Sequence, residues 1–107
     1  MLKGMGGMGN MLKQAQKMQK RLLEVQQELK ERVVEGSAGG GMVRVAANGQ
    51  QEVLSVKIGS EAVSAEDVEL LEDMVLAAVC QALEKSRQLA QEEMGKVTGG
   101  LQLPGLM

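Results

Sequence analysis

A chain of 107 residues with no Phe, Tyr or Trp is one domain, and it lacks the side chains that bury the most apolar area each. A monomeric core would be thin, and a second copy of the chain is expected to supply the missing burial. With no His either, both the usual neutral-pH general base and the base-stacking platforms of single-strand binders are excluded, which leaves neither catalysis nor single-stranded nucleic acid as a natural reading.

The net charge of −2 hides an asymmetry: residues 1–23 carry five cations and no acid, whereas residues 24–107 carry seven cations and fourteen acids. Such a split points to an interaction surface near the amino terminus. No run of 18 apolar residues exists, so no membrane span is expected, and with a Gly/Met start in place of a continuous apolar stretch no secretory signal is expected either. The single Cys80 cannot form an internal disulfide, in keeping with a cytoplasmic protein.

In chain order, the glycines at 4, 6, 7 and 9 predict a flexible arm over residues 1–7. The arm spells G-x-G-x-x-G, but no strand precedes it, so no dinucleotide site is expected. Met5, Met8 and Met11 could hold Cu(I) through their thioethers, yet without Cys or His nearby they read as helix-seam filler. No metal and no cofactor is predicted.

The first helix is predicted over Met8 to Glu31, about 36 Å long. Met8, Met11, Ala15, Met18, Leu22, Val25 and Leu29 alternate by threes and fours and make one face a pairing seam. Lys13, Lys17 and Lys20 form a stripe roughly opposite, with Arg21 on its flank. A short β-type run at Arg32–Glu35 and a glycine turn follow. Asn48-Gly49 then predicts a two-residue type I′ hairpin, which sets Val43 opposite Leu54 and Arg44 opposite Val53. Val43, Val45, Leu54, Val56 and Ile58 share the core side, and Arg44, Ser55 and Lys57 point away.

Ser64 and Asp67 predict the start of a second long helix with an acidic first turn and cations near its end. Its middle, Met74 to Leu83, is apolar nearly all round and predicts burial on several sides, with Cys80 an inert part of it and Val75 and Val79 in the core. The clustered acids lack the loop spacing of a calcium site. Residues 98–107 predict a mobile tail. The fold class is therefore α+β, with helix, three-stranded antiparallel sheet and helix in the order α-β-β-β-α, in an intertwined homodimer.

Four segments, GMGNMLKQAQKMQ from Gly7, GGGMVRVAANGQQEV from Gly39, ELLEDMVLAAV from Glu69 and GGLQLPG from Gly99, resemble the YbaB/EbfC family of bacterial nucleoid-associated proteins in their order and spacing. The resemblance implies a non-enzymatic, cytoplasmic, nucleoid-associated homodimer whose sheet and central helices form the interface and whose projecting helices grip double-stranded DNA. It places DNA contacts on Lys13, Lys17, Lys20 and Arg21, with Lys3, Arg87 and Lys96 as further candidates. Core and dimer contacts are expected from Met18, Leu22, Val25, Leu29, Val43, Val45, Leu54, Val56, Ile58, Val75 and Val79. No membrane and no small-molecule substrate is expected. The competing reading is a coiled-coil-like adaptor whose basic stripe is only solvated.

Overall fold

The computed structural model describes residues 2–99, and the side chains of residues 8–99. Helix α1 (Leu2–Glu31) leads into β1 (Val33–Ala38), a tight turn at Gly39–Gly41, β2 (Val43–Asn48), β3 (Val53–Ile58), a one-turn helix at Ser60–Ala62 and helix α2 (Val68–Thr98). The sheet is antiparallel with order β1-β2-β3, so the α-β-β-β-α expectation holds. Helix α1 starts six residues before the predicted boundary. Extending an existing helix adds a hydrogen bond per residue without a new nucleus, which carries it through the glycines. Of the predicted tail over residues 98–107, Thr98 instead ends helix α2 and Gly99 caps it, while residues 100–107 lie outside the described residues.

Sheet and helix meet on one face. Val43, Val45 and Ala47 of β2 and Ala78 and Ala82 of α2 are fully buried, with Val34, Ala38, Leu71, Met74, Val75 and Val79 packed around them. Small residues at the contact let the two elements approach closely. Gly36 is the extreme case, since a Cβ there would run into the Ala78 carbonyl oxygen and come within 2.5 Å of the Ala82 nitrogen. The outer edge of β1 is covered as well, because Gln81 Oε1 accepts from the Ser37 amide at 2.7 Å and Lys85 Nζ donates to the Glu35 carbonyl at 2.8 Å. An edge whose backbone groups are occupied is a poor template for further pairing.

The hairpin differs from the predicted one. Val43 faces Ile58, Arg44 faces Lys57, Val45 faces Val56, and a bulge after Ala46 brings Ala47 opposite Val53. A type I′ turn needs positive φ at both central residues, and neither Asn48 nor Gly49 has it; Gln51 does, at 64°. The turn is wider because Asn48 organises it: its Oδ1 accepts from the Gln50 and Glu52 amides, at 2.9 and 3.1 Å, and its Nδ2 donates to Glu52 Oε1 at 2.8 Å. Gly49 serves a different end. Its amide donates to the carbonyls of Leu29 (2.8 Å) and Arg32 (3.0 Å), and a Cβ would sit 2.8 Å from Leu29 Cδ2. Docking of α1 onto the turn, rather than local turn geometry, thus selects the glycine. Buried Ser86 ties α2 to the same turn, donating to the Asn48 carbonyl at 2.6 Å and accepting from the Gln51 amide at 2.9 Å.

Helix α2 begins at Val68. Ser64 closes a turn before it, accepting from the Glu66 amide at 3.3 Å, and Asp67 makes no side-chain cap, so the predicted capping box is absent. The helix is buried on one side only. Leu76 and Cys80 are exposed, which corrects the expectation of an enclosed thiol: the apolar far side of the helix is apolar without being covered by this chain. Strand β3 repeats the pattern, with Val53, Leu54, Val56 and Ile58 between 42% and 53% exposed. In α1, Val25 and Leu29 are buried and Met18 and Leu22 half-buried, while Met8 and Met11 are about 70% exposed. The molecule measures 78 × 23 × 16 Å, far longer than it is thick.

Candidate nucleic-acid interface

The helical period that turns the seam inward turns Lys13, Lys17 and Lys20 outward. All three are exposed, and among the described residues none forms a salt bridge. Their spacing along α1 is about 6 and 4.5 Å at 1.5 Å per residue, a pitch that can follow the phosphates of one strand. Arg21 differs from them. Its guanidinium lies 3.3 Å from Glu24 and 3.5 Å from Glu28, so it would have to exchange carboxylates for phosphate.

The α2 cations are engaged too. Arg87 pairs with Glu84, and Lys96 lies 3.2 Å from Glu93, which also holds Arg32 at 3.3 Å. The hydrogen bond from Lys96, with the positive charge of Arg32 beside it, holds the Glu93 carboxyl below its usual range. The contact between the α1 terminus and α2 is therefore fully ionised at neutral pH and weakens only as pH falls through that lowered value. The Lys3 side chain lies outside the described residues.

One pair of cations escapes sequence reasoning. Arg44 and Lys57 are direct cross-strand neighbours on the sheet face turned away from α2. The predicted register set Arg44 against Val53 and so concealed the juxtaposition.

Among the described residues no cluster of His, Cys, Asp and Glu could hold a metal ion, and no helix is long and apolar enough to cross a membrane. An elongated α+β chain whose first helix carries cations and no acid before Glu24 presents the kind of surface by which nucleic-acid-binding modules meet phosphate. Known proteins make the class specific: residues 5–101 match the YbaB/EbfC DNA-binding family, and the chain belongs to that family. It is 52% identical to a nucleoid-associated protein of Pelotomaculum thermopropionicum over 94% of this chain and 96% of that protein. It is 54% identical to one of Moorella thermoacetica over 95% of this chain and 98% of that one. The crystal structure of the uncharacterized protein HP0035 from Helicobacter pylori shares the fold, with a TM-score of 0.63 at 22% identity over 73% of this chain and 90% of that one.

Proposed function

We propose that the chain is a non-enzymatic, nucleoid-associated protein of the bacterial cytoplasm. It acts as a homodimer that grips duplex DNA mainly through phosphate contacts from α1, and so contributes to nucleoid organisation and gene regulation. The observation that carries this reading is the set of exposed, acid-free cations at Lys13, Lys17 and Lys20. Lysine is a point charge without the bidentate fork that reads guanine, so these contacts position the duplex more than they read its sequence. The dimer rests on the apolar surface that one chain leaves uncovered on β3, on the far side of α2 and along the amino-terminal half of the α1 seam.

Replacement of Lys13, Lys17, Lys20 and Arg21 together by Gln is expected to weaken binding to two unrelated duplexes equally, with the salt slope reduced by about 0.9 for each phosphate no longer neutralised. The three unpaired lysines should account for most of the change. Circular dichroism should be unaltered, because exposed substitutions of this kind stay within about 0.5 kcal/mol. If the variant keeps the parental affinity and slope, the stripe is a solvated face and the adaptor reading replaces this one. Sedimentation equilibrium at micromolar concentration should give twice the mass of one chain, and a folded species with the mass of a single chain would remove the dimer.

A further inference from the structure

We propose that Arg44 and Lys57 form a second phosphodiester contact for duplex DNA, on the polar face of the sheet and separate from the α1 stripe. The proposal rests on the duplex-binding reading but not on the α1 lysines. Three observations carry it.

First, the two cations are directly opposed across β2 and β3. Like charges in that relation are destabilising, so an anion seated between them would relieve a repulsion that the fold otherwise retains. Second, neither is neutralised. Arg44 Nε donates to the Gly41 carbonyl at 3.3 Å, and among the described residues neither side chain forms a salt bridge. Glu35 shares the face, but it stands opposite Ala46, one row further along. Ser37 lies in the Arg44 row itself, and Ser55 shares the Ala46 row with Glu35; both carry hydroxyls able to donate to phosphate oxygens.

Third, the position suits a long polyanion. From Arg44 along β2 to the turn at Asn48 is about 13 Å at 3.3 Å per residue. From Leu29, clamped to that turn, back along α1 to Lys17 is about 18 Å more. The two basic sites therefore lie at most about 31 Å apart, within the 34–36 Å of one duplex turn. The apolar strip of β3 faces the α2 side of the sheet, so a partner chain seated on it leaves this polar face open.

The test uses the full chain and two unrelated duplexes of about three helical turns. Arg44→Gln with Lys57→Gln should reduce the salt slope by about 1.8, with no fall in Tm. Arg44→Lys, which keeps the charge, should keep the slope. Lys57→Glu gives Arg44 an opposed carboxylate and leaves the pair with the same zero net charge as the double variant, so it is expected to raise Tm while weakening binding about as much as the double variant does. Stability and binding moving in opposite directions is the signature of a charge held for a ligand. An unchanged slope in the double variant overturns the proposal, as does a loss of binding that appears only with a fall in Tm. Because the α1 lysines remain in every one of these proteins, failure here leaves the α1 reading intact, and failure of the α1 variant leaves this slope measurement intact.

Discussion

Gly36→Ala is expected to lower stability by about 3 kcal/mol, equivalent to a fall in Tm of roughly 10–20 °C for a domain of this size. A view confined to the strand predicts the opposite sign, because alanine restricts the unfolded chain more than glycine does and fits a strand better. The structure reverses it. The added methyl group meets the Ala78 carbonyl and the Ala82 amide nitrogen, both backbone atoms of α2, so no rotamer change can relieve the overlap. Sheet and helix must separate, and the packing among Val43, Val45, Ala78 and Ala82 loosens as one. Thermal denaturation followed at 222 nm checks the sign, and a variant as stable as the parent would mean that α2 is not seated on β1 as described.

Val25→Glu is expected to be more damaging, with a loss of about 4 kcal/mol. Val25 is 1% exposed, so a carboxylate placed there is stripped of water and must either lose its charge or pull α1 away from the body of the molecule. DNA binding should fall with the fold. The contrast with the quadruple Gln variant is the useful part, because that protein should keep its helical signal while losing affinity. Were Val25→Glu to fold normally and bind DNA as before, the seam would not be what holds α1.

The order of elements was legible because each rests on local signals: the three-and-four spacing of α1, the alternating strands, the acid-led start of α2. The basic stripe was legible for the same reason, since helical periodicity places Lys13, Lys17 and Lys20 without knowledge of anything else. Strand register was not. Asn48-Gly49 is a strong local signal for a tight turn, but here the glycine is selected by the close approach of Leu29, which leaves no room for a Cβ and has nothing to do with turn chemistry. The error propagated into the site, because the Arg44–Lys57 opposition exists only in the observed register. Cys80 was misplaced by a different route. An apolar helix face does not imply that its own chain covers it, and Cys80 lies on a side of α2 that this chain leaves exposed.

The junction at Asn48 and Gly49 also has a mechanical meaning. Helix α1 is a cantilever whose root is fixed by the Gly49 amide, by Gln50 Nε2 donating to the Gln26 carbonyl at 2.8 Å, and by the Arg32–Glu93 pair. Lys13 lies about 24 Å out along that beam from Leu29, so a tilt of about 10° at the root swings it by roughly 4 Å. That displacement is nearly the axial step between Lys17 and Lys20. The aim of the proposed lysine contacts is consequently governed less by α1 itself than by the stiffness of the short bend at its root.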